Sequence, residues 1–267
     1  KRNNSEWFWL TDENGKPYSQ TYLKAINNQL TAMFNYAVKY YNLHENPCTK
    51  AGSMGKSHAE EMNFWTKAEF EQFIVAVQDK PASYTAFMTL YYTGMRVGEL
   101  CALTPADVNL VDHTITINKT FQCINGRDVI WPPKMPKSNR VVTIPQILAN
   151  CLKEYMDKCY EIQLDDRLFP YTNSFLNHEM LRGCKKSGVK KIRVHDLRHS
   201  HASLLIEMGC QPLLIADRLG HEKIQTTLNT YSHLYPNKQA EVAAQLENVM
   251  NGTTVPNGSQ MACVANL

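Results

Sequence analysis

Apolar residues recur at helical spacing along most of the chain. Between Tyr22 and Tyr41 they fall every three or four positions, which predicts one long amphipathic helix. Asn46-Pro47 predicts its end, since proline disfavours helix in the residue before it. The stretch that follows is rich in Gly, Ser and Lys. We therefore expect a helical domain over residues 1–50, a linker over 51–65, a larger domain over 66–250 and a disordered tail over 251–267.

The larger domain opens with helical signals. The sequence Thr66-Lys67-Ala68-Glu69 is that of a capping box, so a helix is expected to begin there. A second helix is predicted from Pro81 to Tyr92, where Thr93-Gly94 breaks it, and a third near Arg96. Helical spacing returns after Pro145, and further helices are predicted near Glu179–Lys186, within 193–233 and over Lys238–Met250.

Between these helices the pattern switches to the alternation that is typical of strands. Thr114–Phe121, Asp128–Trp131 and Arg140–Ile144 each predict a strand, and Asn125-Gly126 predicts a hairpin turn. The loop Pro132–Arg140 is basic, and its prolines disfavour strand pairing because proline has no backbone N–H to donate. The predicted fold class is mainly α with a small antiparallel three-stranded sheet (α+β).

The composition excludes few classes of protein. The chain has 267 residues, 43% hydrophobic and 20% charged, with a formal net charge of +3, which does not by itself indicate nucleic acid. The eight cysteines form no CxxC pair, which favours reduced core thiols in a cytosolic protein. No apolar run is long enough to span a membrane, and no secretory signal is visible. Because the chain begins at Lys1 without a methionine, we expect a fragment of a longer protein.

Lysines and arginines cluster in two places. Such runs usually form a solvated face, yet they are also how proteins neutralise DNA phosphates. The residues that could contact phosphate are Lys137 and Arg140 in the sheet loop, and Lys185, Lys186, Lys190, Lys191 and Arg193 before His195.

His195 lies three positions before Arg198 and four before His199. The first spacing places an imidazole and a guanidinium on one helix face. The second is the spacing of a zinc pair, but the glutamate of the HExxH signature is absent and Arg198 would repel a metal cation. A guanidinium suits a phosphate, to which it can donate two charge-assisted hydrogen bonds. We therefore expect neither metal nor cofactor.

Two further residues, His221 and Tyr231, are weak candidates for a functional role when each is taken alone. Gly220 is typical of a helix C-cap, which would present His221 at a helix end. Tyr231, in Thr230-Tyr231-Ser232-His233, stands among apolar residues and by itself would be taken for a core side chain.

Together these residues resemble the signature of the tyrosine recombinase (phage integrase) family. The matching elements are Arg96 in TGMRVGEL, His195-x-x-Arg198, Leu219-Gly220-His221 and Tyr231 ten residues later. Within the family, the chain looks like integrases of bacterial conjugative transposons and prophages. The resemblance implies a catalytic domain over 66–250, preceded by part of a helical core-binding domain over 1–50.

The resemblance also implies a role for each matched residue. Tyr231 would attack the scissile phosphate and form a 3′-phosphotyrosine, while Arg96 and Arg198 would bind the non-bridging oxygens. His195 would assist proton transfer at the tyrosine, and His221 would hydrogen-bond the phosphate.

A lysine of the sheet loop would protonate the leaving 5′-oxygen. The family loop often reads Lys-Thr followed by Ser-x-Arg, whereas this chain reads KMPKSNR. Aligning on Ser138 and Arg140 assigns Lys134 to that role, and Lys137 stays an alternative.

The implied partners are double-stranded DNA attachment sites and further copies of the chain, as a tetramer on two DNA sites, with accessory excision or DNA-bending proteins. The helix over Lys238–Met250 would pack on its own domain or dock on a neighbouring protomer. The alternatives are a type IB topoisomerase, a DNA-binding module without activity, and a metal-dependent hydrolase using His195 and His199.

Overall fold

The computed structural model describes residues 11–56, 63–133 and 135–235, together with positions 243, 247 and 250. The chain divides into two compact units, Lys1–Met62 and Asn63–Leu267. That division falls inside the expected linker, but the domain boundaries themselves stay a prediction. The expected tail over 251–267, most of the expected helix Lys238–Met250 and Lys134 lie outside the described residues.

The first unit contains the long helix α1 (Gln20–Tyr40), which confirms the helix expected from the apolar spacing. The hydroxyl of Ser19 accepts the Tyr22 backbone N–H, which caps its first turn. The prediction that Asn46-Pro47 ends this helix is wrong, because α1 already ends at Tyr40. Asn46 caps a second helix, α2 (Pro47–Ala51), by accepting the Cys48 backbone N–H at 2.8 Å.

Eight α-helices are described in the second unit, and Thr66 and Glu69 form the expected capping box before the first of them. In chain order they are α3 (Lys67–Ala76), α4 (Pro81–Thr93), α5 (Val97–Ala102), α6 (Gln146–Lys158), α7 (Asn173–Ser187), α8 (Asp196–Glu207), α9 (Pro212–Leu219) and α10 (Ile224–Tyr231). Short 3-10 turns cover Pro105–Asp107, Pro136–Ser138 and Ser232–Leu234.

Five strands form two separate antiparallel sheets. They are β1 (Val108–Asn109), β2 (Thr114–Ile117), β3 (Thr120–Ile124), β4 (Arg127–Trp131) and β5 (Arg140–Thr143). The three-stranded sheet has the order β1-β2-β5, and β3 and β4 form a hairpin of their own.

The expected antiparallel sheet of three strands is therefore confirmed, but its expected membership is wrong. Thr114–Phe121 is two strands, because the Lys119 side chain turns to Asp107 at 2.8 Å and interrupts the alternation. Strand β1 has two residues, which is too short to leave a periodic pattern in the sequence.

Aromatic packing joins the first helices of the second unit. The rings of Phe70 and Tyr91 stack at 3.7 Å, and Phe87 meets Phe73 edge-on at 5.0 Å. Gly183 lets α7 approach closely, since a Cβ there would lie 2.3 Å from the Phe73 ring. This core supports α4, against which α8 packs. No described helix has both the length and the apolar character required to cross a membrane.

Candidate active site

Arg198 is a buried guanidinium held by the ends of two helices. Its side chain is on the first turn of α8 and the residue is only 4% exposed. Its two terminal nitrogens donate to the carbonyl oxygens of Gly94, at 2.8 Å, and of Leu219, at 2.6 Å. Carbonyls at a helix C-terminus lack partners within the helix and carry partial negative charge, so they suit a cation.

Glycines allow these two helix ends to lie so close to the arginines. Gly94 ends α4 with φ +65°, and a Cβ there would lie 2.6 Å from the His201 ring. Gly220 ends α9 with φ +68°, and a Cβ there would lie 3.0 Å from a guanidinium nitrogen of Arg140. Both glycines were expected to end helices, and both expectations are confirmed.

Arg96 begins α5 and is oriented by Glu99. One carboxylate oxygen of Glu99 accepts the Arg96 backbone N–H and the other accepts from the Arg96 guanidinium, both at 2.8 Å. Glu99 is buried, whereas the Arg96 side chain is 40% exposed. Burial raises the pKa of Glu99, but hydrogen bonds from Arg140 and Arg96 outweigh it and hold that pKa below its ordinary value. An ionised Glu99 therefore fixes Arg96 while leaving it accessible to a ligand.

Arg140 is the second partner of Glu99. Its guanidinium donates to Glu99 at 2.8 Å and to the carbonyl oxygens of Ser138, at 3.0 Å, and Arg218, at 2.9 Å. Its side chain is 6% exposed. This geometry favours a positioning role for Arg140 over the phosphate contact that was expected from sequence.

His221 follows Gly220, and the positive charges of three guanidiniums act on its imidazole. Its Nδ1 lies 2.7 Å from the Thr227 hydroxyl. Burial, and then the positive charges of Arg198, Arg96 and Arg140, lowers the pKa of His221 to about 4. The imidazole is therefore neutral at neutral pH.

Tyr231 ends α10, and its hydroxyl meets an imidazole. The residue is 1% exposed, and its oxygen lies 2.8 Å from Nδ1 of His199. Burial raises the pKa of Tyr231 to about 12, against the opposing effect of the positive charge of Arg198. Burial, followed by the charge of His195, lowers the pKa of His199 to about 4.

His199 was weighed from sequence only as a zinc ligand, and its contact with Tyr231 was missed. Its position one turn after His195 on α8 is the signal that could have indicated a second imidazole in the site. His195 itself is exposed at the start of α8, and its ring centroid is 5.7 Å from that of His199. Although the residue is exposed, the protein around its ring removes part of the water from it, and this desolvation, followed by the charge of Arg198, lowers the pKa of His195. Glu99 was also missed, although it stands three residues after Arg96, at capping-box spacing.

The remaining predicted phosphate ligands are on the surface. Lys137, Lys185 and Lys191 are exposed. Lys186 and Lys190 lie 3.4 Å from carboxylates of Asp79 and Glu69, and Arg193 lies 2.7 Å from Asp196. Lys134 lies outside the described residues, so its predicted role stays a prediction.

Within the described part of the chain, no three His, Cys, Asp or Glu side chains are grouped so that they could hold a metal ion. His195 and His199 adjoin Arg193 and Arg198, whose positive charges lower the pKa of both imidazoles and would oppose a cation there.

The structure thus brings five of the predicted catalytic residues, Arg96, His195, Arg198, His221 and Tyr231, into one electrostatic environment. The charge of Arg198 acts on His195, on His221 and on Tyr231, and the charge of Arg96 acts on Arg198. These residues come from α5, α8, α10 and the end of α9, so the arrangement depends on the fold of the second unit. A neighbouring pair of guanidiniums suits an anion with several oxygens, and the tyrosine hydroxyl beside them is a potential nucleophile.

Known proteins have sequences similar to that of this chain. The Phage integrase family model matches residues 63–238. The ICEBs1 integrase of Bacillus subtilis is 32% identical over 244 residues, which cover 85% of this chain and 66% of that protein. The integrase of Staphylococcus phage L54a is 28% identical over 297 residues, which cover 94% of this chain and 84% of that protein. The chain therefore spans about two thirds of the length of the first of these relatives.

Solved structures agree in fold. The Tn1549 transposon integrase in complex with circular intermediate DNA superposes with a TM-score of 0.74 at 22% identity, covering 92% of this chain and 84% of that one. The catalytic domain of bacteriophage HP1 integrase superposes with a TM-score of 0.51 at 22% identity, covering 73% of this chain and all of that domain. With the family match over residues 63–238, this chain belongs to the phage integrase family, the tyrosine recombinases.

Proposed function

We propose that this protein cleaves and rejoins DNA through a 3′-phosphotyrosine at Tyr231, and so integrates and excises a mobile element. The observation that carries the proposal is the buried Arg198, whose charge acts on the Tyr231 hydroxyl and whose guanidinium is fixed by two helix ends. A nucleophilic oxygen and a preorganised cation are what attack on a phosphodiester requires.

Each step uses a group of this chain. The Tyr231 oxygen attacks the scissile phosphorus and forms an O–P bond, and the bond to the 5′-oxygen breaks. Arg96 and Arg198 bind the non-bridging oxygens, where negative charge grows in the transition state, and His221 donates a further hydrogen bond. Lys134, or Lys137 in its place, protonates the 5′-oxygen. Because the bond energy is kept in the tyrosyl phosphate, rejoining needs no nucleotide.

A nicked suicide substrate tests the proposal. When cleavage releases a short fragment beyond the scissile phosphate, rejoining is prevented and the covalent complex accumulates. Attachment-site DNA of this kind should become attached to the full chain without metal or nucleotide. Tyr231→Phe should abolish the adduct and leave DNA affinity unchanged, because only the hydroxyl is lost. An adduct that persists in Tyr231→Phe would contradict the assignment of the nucleophile.

The proposed partners are double-stranded attachment sites and other copies of the chain, arranged as a tetramer on two DNA sites, with accessory excision or DNA-bending proteins. The relatives support this proposal: they include the ICEBs1 integrase and a phage integrase, and the Tn1549 transposon integrase was solved in complex with circular intermediate DNA. The proposed location is the bacterial cytoplasm. The helix expected over Lys238–Met250 is proposed either to pack on its own domain or to dock on a neighbouring protomer. Size analysis of the protein on one and on two DNA sites tests the tetramer.

The other function classes are less well supported. A type IB topoisomerase would relax supercoiled DNA without sequence preference, and a relaxation assay distinguishes it from a recombinase. A hydrolase using His195 and His199 is opposed by the family match and by the engagement of His199 Nδ1 with the Tyr231 hydroxyl. A binding module without activity would not need a tyrosine beside Arg198.

A further inference from the structure

The imidazole in contact with the Tyr231 hydroxyl is that of His199, not that of His195. The two atoms concerned, Tyr231 Oη and His199 Nδ1, lie 2.8 Å apart, within the range of a good hydrogen bond. The rings meet edge to face with centroids 5.7 Å apart. The His195 ring packs edge-on against the His199 ring, and His195 is exposed. The order in space is therefore Tyr231, His199, His195.

We propose that His199 is a catalytic residue that orients the Tyr231 hydroxyl and receives its proton when the tyrosine attacks the phosphate. This inference rests on the proposed function and adds a residue to it. In the forward step the O–H bond of Tyr231 breaks, the proton moves to Nδ1 of His199, and the tyrosine oxygen forms the bond to phosphorus. In rejoining, the 5′-hydroxyl attacks the phosphorus and gives its proton back to the lysine that had protonated it. The bond between phosphorus and the Tyr231 oxygen breaks, and His199 returns the proton to that oxygen.

The protonation states of the two groups are compatible with this role. A neutral imidazole accepts a proton at one ring nitrogen, whereas an imidazolium accepts at neither. Burial and the charges of His195, Arg193 and Arg198 outweigh that of Asp196 and keep His199 neutral at neutral pH. Tyr231 is protonated under the same conditions. In the tautomer that carries its proton on Nε2, Nδ1 of His199 accepts the hydrogen bond from the phenol, which is the arrangement that a proton transfer from tyrosine requires.

Binding of the substrate phosphate would favour the transfer of the proton to His199. Its negative charge favours an imidazolium nearby, so the affinity of His199 for a proton rises when the substrate is bound. Arg198 favours the same proton transfer, since its positive charge stabilises the phenolate of Tyr231. His195 is then a neighbour of the proton acceptor and not the acceptor itself.

A simpler role for His199 is that it satisfies a buried hydroxyl. The variants His199→Asn and His199→Ala separate the two roles. Asparagine keeps an oxygen acceptor near the position of Nδ1 but cannot be protonated, whereas alanine removes both functions. His178→Ala, an exposed histidine on α7, is the matched control.

The measurement is the rate of covalent complex formation on the nicked attachment-site DNA, with affinity and thermal unfolding measured for each variant. Both His199 variants should cleave about 100-fold more slowly than the wild type, which is the usual contribution of a general base. Asparagine should restore stability without restoring the rate. Added imidazole should accelerate His199→Ala and leave His199→Asn unchanged. An asparagine variant with the wild-type rate would overturn the proposal, because a hydrogen bond alone would then suffice.

A substrate with sulfur in place of the bridging 5′-oxygen gives an independent readout. A thiolate leaves without protonation, so this substrate corrects a defect in the acid but not in the base. His199→Ala should remain slow on it, whereas a variant of the acid should recover. Recovery of His199→Ala would assign His199 to the leaving group and contradict the proposal. A wild-type chain that forms no adduct at all would instead refute the proposed function.

Discussion

Two groups of cations in this molecule are held in opposite ways. The arginine centre, formed by Arg96, Arg140 and Arg198, is fixed by the buried Glu99 and by the carbonyls of helix ends. The surface lysine group comprises Lys185, Lys186, Lys190 and Lys191, and it is exposed. Its ion pairs, such as Lys186 with Asp79 at 3.4 Å, are of the kind that contributes little to stability.

The difference suggests a division of labour. A guanidinium that is already in place needs no reorganisation when charge develops on a phosphate, so it can stabilise a transition state. A mobile lysine on the surface neutralises DNA without fixing any atom, so it contributes affinity that salt can screen. Substitutions in the two groups should therefore affect different measurements.

The largest effect is expected from Arg198→Lys. Lysine keeps the charge but cannot donate in a planar fork to Gly94, Leu219 and a phosphate. The rate of covalent complex formation should fall by roughly 100- to 1000-fold. Arg127→Lys, on the exposed hairpin, is the control and should cleave at the wild-type rate. A rate for Arg198→Lys close to that of the control would mean that Arg198 is only structural.

The next effect concerns Glu99, which joins two arginines of the centre. Glu99→Gln leaves the buried Arg140 without its counter-charge, so the free energy of unfolding should fall by about 3 kcal/mol. Urea denaturation measures this loss. The double variant Glu99→Gln, Arg140→Met should lose less than the sum of the single variants, because both remove the same pair. Strictly additive losses would show that the pair is not coupled.

A smaller effect should appear as a pH dependence of stability. The pKa of His199 and of His221 is lowered to about 4 from the ordinary 6.5. Between these values the unfolded chain binds protons that the folded chain does not, so stability falls as the pH falls from about 6.5 to about 4. The loss should be on the order of 1 kcal/mol for each histidine, after allowance for partial exposure.

Urea denaturation at a series of pH values tests this dependence. His199→Asn and His221→Gln should each flatten the slope, while His178→Gln should leave it as in the wild type. An unchanged slope in both site variants would mean that neither imidazole is kept neutral by the fold.

The smallest effect is expected in the surface lysine group. Lys185→Ala and Lys191→Ala should each reduce the slope of log affinity against log salt by about 0.9, if each lysine neutralises one phosphate. Lys186→Ala and Lys190→Ala should reduce it less, because those lysines also pair with carboxylates. Cleavage at saturating DNA should stay at the wild-type rate in all four. A slower cleavage rate at saturating DNA would mean that the substituted lysine contributes to cleavage, as the arginine centre does, and not only to DNA affinity.

The sequence predicted most helices and the glycines that end them, because those features depend on local spacing and backbone conformation. The capping box at Thr66 and the helix end at Gly94 are examples. The split of Thr114–Phe121 into two strands could not be predicted, since it depends on the contact between Lys119 and Asp107.

The same contrast applies to the site. The resemblance to the tyrosine recombinase family indicated Arg96, Arg198, His221 and Tyr231, but several of the contacts that hold the site together join distant parts of the chain. The commitment of Arg140 to Glu99 joins residues 41 positions apart, and the contact of His199 with Tyr231 joins residues 32 apart. No local pattern encodes such pairs.

The central claim is that Tyr231 becomes covalently attached to DNA, and peptide mapping of the adduct tests it most directly. Trypsin should release residues 224–238, a peptide that contains both Tyr231 and Tyr235. After nuclease digestion, fragmentation of this peptide should place the nucleotide on Tyr231, whose hydroxyl meets His199 beside Arg198. A nucleotide on Tyr235, or on a tyrosine of another peptide, would contradict the account.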